Sequence, residues 1–354
     1  MDKATNQLEQ ALSVVGQDSK SRRKVIELCL DIEKNLQFSG GSIRDEVTGP
    51  IVDAMHHENM VLEKPLADGT KFRFLYRTKI ARDFVMSEPE VPDHVWEPQT
   101  TKLLLILAEH AQHALIGGAY CGDQVILMAK KMAQKGGVCH AFEPNPDQLS
   151  MLRQNAELNA LSNIQSWRLG LWSNSDATLT LVGNDSFASA VEASGSSGSG
   201  FSTITIDDYV KQQGLPKLDL IMLDIEGAEL PVLKGAAKVL SAPAGQSPNV
   251  VFEVHRHYVD WSNGLENTEI VKMMRGYGYH VFAVRDFNSN VDMAGKPVEL
   301  IPPEDVYLEG PPHGFNMLAI KDLTLIENPS FRICRHVSPK LLWHKSPDLH
   351  HPLR

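Results

Sequence analysis

The first 95 residues combine helical patterns with one alternating pattern. In the stretch SRRKVIELCLDIEKNLQF, apolar residues recur at the i, i+3, i+4, i+7 spacing of an amphipathic helix, and Ser21 is its expected N-cap. The apolar positions are Val25, Leu28, Cys29, Ile32 and Leu36. Farther along, Asp68 and Gly69 form a turn signal before residues 71–76, where aromatic and basic side chains alternate, which predicts a β-hairpin. We therefore expect residues 1–95 to form a helical and hairpin cap, which serves as a lid, as a homodimer surface or simply as packing.

From residue 98 onward, short apolar runs are followed by glycine and then by a helical pattern, a succession typical of parallel βαβ units. The expected strands lie in the sequences ALIGGA, GVCHAFEP, IQSWRLGLW, LDLIMLDIEG and NVVFEVH, with two more in YHVFAVRD and FNMLAIKD. Because no long helix separates the last two, they should pair antiparallel. The sequence thus predicts an α/β fold with a seven-stranded mixed sheet across residues 96–325, followed by an irregular C-terminal strap over residues 326–354.

Composition and charge limit the classes of partner. The 354 residues carry a net charge of −10 with a pI of about 5.8, and they contain no basic stripe for a nucleic acid backbone. Four cysteines lie far apart without a C-x-x-C pair, which fits free thiols in a reducing compartment. The N-terminus lacks a signal-peptide pattern, and no apolar run reaches the roughly 18 to 20 residues that cross a bilayer. We therefore expect a cytoplasmic protein that acts on a small molecule and binds neither nucleic acid nor membrane.

The stretch HALIGGAYCGDQVILMAKKM runs from a strand through glycines into a helix, a pattern that places a ligand at a strand end. Gly117, Gly118 and Gly122 would let the backbone approach the ligand, and a helix start at Asp123 would supply free N–H groups. About 20 residues later, Glu143 can accept hydrogen bonds from both hydroxyls of a ribose, which NAD and S-adenosylmethionine share. A carboxylate at Asp123 would repel a pyrophosphate and attract a sulfonium, so it favours S-adenosylmethionine. The predicted cofactor-binding residues are Gly117, Gly118, Ala119, Gly122, Asp123, Glu143, Pro144 and Asp224.

Several segments together resemble the FkbM-type S-adenosylmethionine-dependent methyltransferases, over roughly residues 70–322. They are GGAYCGD, AFEPNPDQLSMLRQNAELNAL, TITIDDYV, LDLIMLDIEGAELPVLKGAAKVL and VVFEVH. The resemblance implies a class I, Rossmann-like sheet of strand order 3-2-1-4-5-7-6 with the last strand antiparallel. It also implies O-methylation of a small-molecule hydroxyl, with a sugar or a glycosylated natural product as acceptor. Ile116 departs from the family pattern, which has an aspartate there, so the contact of that aspartate with the cofactor is either missing or supplied by Asp123.

Two strand ends carry the carboxyl and imidazole groups that could perform chemistry. In MLDIEGAE, Asp224 and Glu226 lie two residues apart, and in VFEVHRH the side chains of Glu253 and His255 share one face of their strand. If the two strands are neighbours, these four groups converge on one cleft, and they are the predicted catalytic residues. For methyl transfer to oxygen, we expect His255 to remove the hydroxyl proton and Asp224 to orient either the histidine or the hydroxyl.

Two other interpretations of these groups stay open. A divalent cation such as Mg²⁺, bound by Asp224, Glu226 and either Glu253 or His255, would acidify a pair of sugar hydroxyls. Alternatively, Asp224 and Glu226 would only cap a helix beginning near Ala228, and the histidines would be ordinary hydrogen-bonded side chains.

The function also has alternatives. A non-catalytic S-adenosylmethionine-binding or scaffold protein would share the cofactor residues, although the retained Glu143 and the acidic cluster argue against decay. An NAD-dependent oxidoreductase is less favoured because the sequence has no Y-x-x-x-K pair. Two further segments are ambiguous: Trp96 and Glu97 either anchor the first helix of the sheet domain or reach the cofactor, and EASGSSGSG at residues 192–200 is a flexible insertion or a lid.

Overall fold

The computed structural model describes residues 3–39, 41–183, 188–192, 200–309 and 314–353. The α-helices of this part of the chain are α1 (Lys3–Gln17), α2 (Ser19–Asn35), α3 (Gly49–Ala54), α4 (Lys79–Val85), α5 (Pro98–Ala108), α6 (Val125–Ala133), α7 (Pro146–Leu158), α8 (Ile206–Gln213), α9 (Glu229–Lys234), α10 (Ala237–Ser241), α11 (Glu269–Gly276) and α12 (Pro347–His350). A π-helical turn spans Arg44–Thr48, and 3₁₀ turns span Leu265–Asn267, Pro303–Asp305 and Leu323–Ile326.

The strands are β1 (Val61–Pro65), β2 (Lys71–Leu75), β3 (His113–Gly117), β4 (Val138–Phe142), β5 (Ile164–Trp167), β6 (Gly170–Leu171), β7 (Thr178–Val182), β8 (Ser189–Glu192), β9 (Phe201–Ile204), β10 (Leu220–Leu223), β11 (Asn249–Val254), β12 (His280–Val284), β13 (Asp286–Phe287), β14 (Val298–Ile301), β15 (Phe315–Ile320), β16 (Phe331–Ile333) and β17 (Lys340–Leu341). Most of the predicted flexible insertion at residues 192–200 lies outside the described residues.

The main sheet has the neighbour order β16-β14-β12-β15-β11-β10-β3-β4-β5. Strands β3, β4, β5, β10 and β11 are parallel, whereas β15 runs antiparallel to both β11 and β12. The mixed α/β sheet with a reversed strand therefore agrees with the prediction. The predicted count of seven strands is wrong, because β14 and β16 extend the sheet beyond β12 to nine strands in the described residues.

The central strands have continuous apolar sequences because both faces of the sheet are covered by the hydrophobic core. Along β3, Ala114 and Ile116 pack in the cluster on one face of the sheet, and Leu115 packs in the cluster on the other face. Helices cover both faces, so the side chains of Ala114, Leu115 and Ile116 are buried, and His113 at the start of the strand is partly buried. All four cysteines are free and buried. The described residues include no helix with both the length and the apolar character needed to cross a membrane.

The N-terminal cap contains the predicted helix and hairpin, with two corrections. Helix α2 is capped by Asp18, not Ser21, since the Asp18 carboxylate accepts a hydrogen bond from the Ser21 N–H at 2.7 Å. On the predicted apolar face Cys29 is buried, but Leu28 and Leu36 are 57% and 50% exposed. Strands β1 and β2 pair antiparallel around Gly69, whose φ is 83°.

The hairpin is attached to the sheet domain through two asparagine amides, Asn155 in α7 and Asn159 at its C-terminal cap. The Asn155 side chain accepts from the Arg73 N–H at 2.7 Å and donates to the Arg73 carbonyl at 2.8 Å. Asn159 makes the same two bonds with Lys71, at 2.9 and 2.8 Å. These two asparagines thus satisfy the free backbone groups along one edge of β2, which keeps the cap in place beside the sheet.

The C-terminal segment is more regular than the predicted strap. Strand β16 joins the edge of the main sheet beside β14, and β17 pairs in parallel with β13, so that Lys340 lies opposite Asp286. Helix α12 follows. The pattern of prolines and histidines gave no signal for these short strands, because they form through pairing with partners distant in sequence.

Candidate active site

A cavity of about 400 Å³ opens at the carboxyl ends of β3, β4, β10 and β11. The structure places nearly every predicted site residue on its wall: Gly117, Gly118, Ala119, Asp123, Glu143, Pro144, Asp224, Glu226, Glu253 and His255. This is the expected location for a ligand in a sheet of this type. Apolar residues of the small sheet β6-β9-β7-β8 and the side chains of Lys79 and Ile80 from the cap complete the wall.

The glycine turn after β3 packs directly against the end of β10. Gly118 has a φ of 76°, and a Cβ there would lie 1.8 Å from the Asp224 carbonyl oxygen. Its N–H and that of Ala119 both donate to the Phe142 carbonyl at 3.1 Å. Only glycine fits at position 118, and the turn is held between β4 and β10.

The Glu143 carboxylate is oriented by the backbone on both sides. One oxygen accepts from the Tyr120 N–H and the other from the Asn145 N–H, each at 2.8 Å. The side chain is only 7% exposed and lines the cavity next to Pro144. Each carboxylate oxygen has two lone pairs, so Glu143 can still accept hydrogen bonds from ribose hydroxyls.

Gly122 and Asp123 differ from their predicted roles. Gly122 does not line the cavity; its φ is 94°, and a Cβ would lie 2.6 Å from Leu152 Cδ1, so this glycine serves close packing. Helix α6 begins at Val125, two residues after the expected start at Asp123. Asp123 does line the cavity, and burial, followed by repulsion from Asp224, raises its pKa to about 7.

The D-I-E-G-A-E segment forms a tight turn between β10 and α9. Glu226 has a φ of 51° and Gly227 a φ of 96°. The buried Glu229 carboxylate holds the turn by accepting from the N–H groups of Ile225 at 3.0 Å and Gly227 at 3.4 Å. Helix α9 has no side-chain cap, so the capping role considered for Asp224 and Glu226 is not what the structure shows. Both carboxyls are therefore presented to the cavity.

Three of the carboxyl groups lie close enough to share one ligand. Asp224, Glu226 and Glu253 each offer an oxygen, and these oxygens lie within 4.8 Å of one another. Burial raises the pKa of Asp224 to about 6, and burial together with Asp224 raises the pKa of Glu226 to about 7. The same two causes raise the pKa of Glu253 well above its ordinary value. The cluster is short of positive charge, and it could hold a divalent cation or a cationic ligand.

The histidines of this strand end occupy different environments. His255 lines the cavity, whereas His257 is exposed and stacks on the His255 ring at a centroid distance of 4.8 Å. The Nδ1 atom of His255 accepts a hydrogen bond from the His257 N–H at 3.1 Å. A neutral imidazole in this arrangement carries its proton on Nε2, so its remaining nitrogen is a donor. This geometry weighs against the expectation that His255 is the base.

Four charged residues of the cavity wall were outside the predicted site set, Asp45 and Lys79 from the cap and Glu97 and Lys340 from the sheet domain and the C-terminal segment. Glu97, left above as either an anchor or a cofactor contact, is 9% exposed, has a φ of 47° and accepts from the Asn316 amide at 2.7 Å. Lys340 reaches the same wall from the C-terminal segment. The Trp96-Glu97 pair before α5 was a usable sequence signal for Glu97, but nothing in the sequence around Lys340 distinguishes it from a surface lysine.

Known proteins match the part of the chain that carries this cavity. Residues 117–281 match the family model described as the methyltransferase FkbM domain. The hexuronic acid methyltransferase AglP of Haloferax volcanii is 31% identical over 136 residues, which are 38% of this chain and 51% of the relative. The match thus spans about half the length of this curated relative.

Two solved methyltransferase structures are similar to parts of the chain at low sequence identity. A methyltransferase FkbM from Methylobacillus flagellatus shares 15% identity over 59% of this chain and 43% of that chain, with a TM-score of 0.35. An O-methyltransferase from Bacillus cereus in complex with SAH shares 16% identity over 65% of this chain and 84% of that chain, with a TM-score of 0.34. The glycine turn and the D-I-E-G-A-E segment both lie within residues 117–281, and this part of the chain is similar to the methyltransferase FkbM domain.

Proposed function

We propose that this methyltransferase transfers the methyl group of S-adenosylmethionine to a hydroxyl oxygen of a sugar or a glycosylated small molecule. The observation that carries the proposal is the surplus of carboxyl groups on one cavity at the strand ends. The pKa values of Asp123, Asp224 and Glu226 are raised to about 6 or 7, chiefly because the groups are buried. A sulfonium would relieve this charge imbalance, whereas a pyrophosphate would increase it.

The backbone of the glycine turn supports the same choice of cofactor. The N–H groups of Gly118 and Ala119 already donate to Phe142, and that of Tyr120 donates to Glu143. A pyrophosphate would need such N–H groups to be free. The NAD-dependent alternative is therefore not favoured, while the ribose of S-adenosylmethionine requires only the Glu143 carboxylate.

The chemical step needs alignment and one proton acceptor. The acceptor oxygen attacks the methyl carbon, the carbon–sulfur bond breaks with its electron pair left on sulfur, and S-adenosylhomocysteine leaves. The hydroxyl proton passes to a base, for which Glu226 is better suited than His255. Glu226 lines the cavity, and burial raises its pKa to about 7, near the value that favours proton acceptance at neutral pH.

A second version of the mechanism uses a cation. The oxygens of Asp224, Glu226 and Glu253 lie within 4.8 Å of one another, and Glu253 Oε2 is buried without a hydrogen-bond partner in the described residues. A divalent cation at this place would satisfy that oxygen and lower the pKa of a bound hydroxyl.

The acceptor class is supported by the curated relative. Its name gives hexuronic acid as what it methylates, and the two sequences are 31% identical over 136 residues. A sugar acceptor carries several hydroxyls that polar cavity residues such as Asn288 could position. The competing proposal is a non-catalytic scaffold protein, in which these carboxyls only hold the bound cofactor and no methyl group is transferred.

Activity can be tested by following S-adenosylhomocysteine formation with a panel of hexoses, hexuronic acids and their methyl glycosides. We expect Glu226→Gln to lower kcat by ~10² to 10⁴ and the matched His255→Asn to lower it less than ~10-fold. Full activity in Glu226→Gln would exclude Glu226 as the base. Loss of activity on chelation, with recovery on added Mg²⁺, would replace the simple base by the cation mechanism. Cofactor binding without turnover on any acceptor would favour the scaffold alternative.

A further inference from the structure

The C-terminal segment places an ammonium group on the wall of the acidic cavity. Lys340 lines it, and its charge lowers the pKa of both Glu97 and Asp224. Across the described residues, no hydrogen bond or ion pair involves its Nζ. An ammonium that faces carboxyl groups at a distance, without pairing with one, is available to an anionic group of a ligand.

The backbone holds Lys340 firmly in this position. Strand β17 pairs with β13, so that Lys340 lies opposite Asp286. The Lys340 N–H donates to Ser338 Oγ at 3.1 Å, and its carbonyl accepts from His350 Nδ1 at 2.9 Å. Asp286 in turn accepts two N–H groups of the first turn of α5, at 3.0 and 2.7 Å. Lys340 is thus fixed relative to the start of α5.

Glu97 lies immediately before α5 and brings a carboxyl group to the same wall. Burial raises the pKa of Glu97 to about 8, and Lys340 is the strongest influence in the other direction. Its left-handed φ of 47° is costly for a glutamate, and such backbone strain is typical of functional positions. The cavity therefore presents one buried carboxyl group and one unpaired ammonium. Glu97 precedes α5 directly, and Lys340 is held beside the same helix start through Asp286.

We propose that Lys340 binds the α-carboxylate of S-adenosylmethionine and that Glu97 binds its α-ammonium. This inference rests on the proposed cofactor. Glu143 would hold the ribose at the end of β4, and the carboxyl groups of Asp123 and Asp224 would face the sulfonium. The amino acid end of the cofactor then extends away from Glu143, to the wall formed by Glu97 and Lys340. A zwitterion matches this pair of groups, because its carboxylate accepts from the Lys340 ammonium and its ammonium favours the ionised form of Glu97.

The test compares two cofactors that differ only in the carboxylate. Calorimetric titration with S-adenosylmethionine and with decarboxylated S-adenosylmethionine gives an affinity ratio for each variant. The wild-type protein should prefer the carboxylate form by ~10-fold or more, since a charge-assisted hydrogen bond is lost in the other. In Lys340→Met the ratio should fall to about 1, and in Lys340→Arg it should largely be retained.

Lys345→Met is the matched control, because it removes the same charge from the same segment, where Lys345 pairs with Glu309 outside the cavity. Its affinity ratio should equal that of the wild type. A wild-type ratio near 1, or an unchanged ratio in folded Lys340→Met, would overturn the assignment. If the wild-type protein binds neither compound, the proposed cofactor itself fails, and that result is distinct from a changed ratio. If Lys340→Met does not fold, a wild-type ratio near 1 still overturns the assignment, and the ratio in Lys340→Gln takes the place of that in the methionine variant.

Discussion

At the scale of single residues, the site is defined by carboxyl groups that oppose one another's ionisation. Asp123 and Glu226 both have pKa values raised to about 7, and Asp224 contributes to each shift after burial. Among the described residues of the cavity wall, Lys340 is the cation whose charge lowers the pKa of Asp224. Such groups are partly protonated near neutral pH, and any bound cation must displace some of those protons.

Cofactor binding should therefore release protons, and the sulfonium should determine how many. Near pH 7, S-adenosylmethionine is expected to release about one proton, because its positive charge lowers the pKa of Asp123 and Glu226. S-adenosylhomocysteine lacks the sulfonium and should release fewer. Titration calorimetry in two buffers of different ionisation enthalpy measures both numbers. The Asp123→Asn variant should show a smaller release with S-adenosylmethionine. Equal release for the two compounds in the wild-type protein would show that the carboxyls do not sense the sulfonium.

At the scale of elements, the strand ends were predictable and the turns that shape the cavity were less so. The apolar runs of β3 and β10 located the strands, because buried parallel strands have no polar face. The glycines of the same stretch looked equivalent in sequence. The structure separates them: Gly118 is required by the nearness of Asp224, whereas Gly122 is required by Leu152. That distinction depends on which element packs behind each glycine, which a local pattern does not contain.

Gly118→Ala should lower the free energy of unfolding far more than the same substitution at a glycine that has a similar positive φ but open space around its would-be Cβ. Gly136 is the matched control, with a φ of 72° and nothing within 4 Å of its would-be Cβ. Gly136→Ala should cost about 1 kcal/mol in the free energy of unfolding, from the backbone conformation alone. Gly118→Ala adds the contact with the Asp224 carbonyl and should cost at least ~2 kcal/mol or displace the turn and weaken cofactor binding. Denaturant unfolding and cofactor titration of both variants check this. Similar values for the two would mean that the turn is not tightly packed.

At the scale of the whole molecule, the cavity is built from parts far apart in sequence. The glycine turn and the D-I-E-G-A-E segment are local motifs, so the sequence located them. The part of the wall formed by Lys340 is not encoded by a local motif. Strand β17 reaches the site by pairing with β13 and through the hydrogen bond from His350 to the Lys340 carbonyl. The same reason explains the two added strands β14 and β16 at the sheet edge. Long-range pairing of short strands leaves no periodic pattern to detect.

The buried carboxyls should make the stability of the free protein fall as pH rises through neutrality. The folded-state pKa values of Asp224, Asp123 and Glu226 are raised to about 6, 7 and 7, above their ordinary values, so the folded state holds more protons than the unfolded state in this window. Their contribution is fully present at low pH and is lost as pH rises through those values. His140 acts oppositely, because burial lowers its pKa to about 4, and it offsets part of the trend below about pH 6.5.

We therefore expect the Tm of the cofactor-free protein to decline from about pH 6.5 to about pH 8.5, and Glu226→Gln to lessen the decline. Since the amide cannot ionise, this variant should exceed the wild type at about pH 8.5 by roughly 2 °C and match it more closely at about pH 6.5. Calorimetric scans across this range measure the difference, with Glu58→Gln as the control because Glu58 is exposed and outside the cavity. Saturating S-adenosylmethionine should flatten the wild-type curve, because the bound sulfonium favours the ionised carboxyls. A wild-type Tm that rises with pH, or a Glu226→Gln curve parallel to that of the wild type, would contradict the assignment of a raised pKa to Glu226.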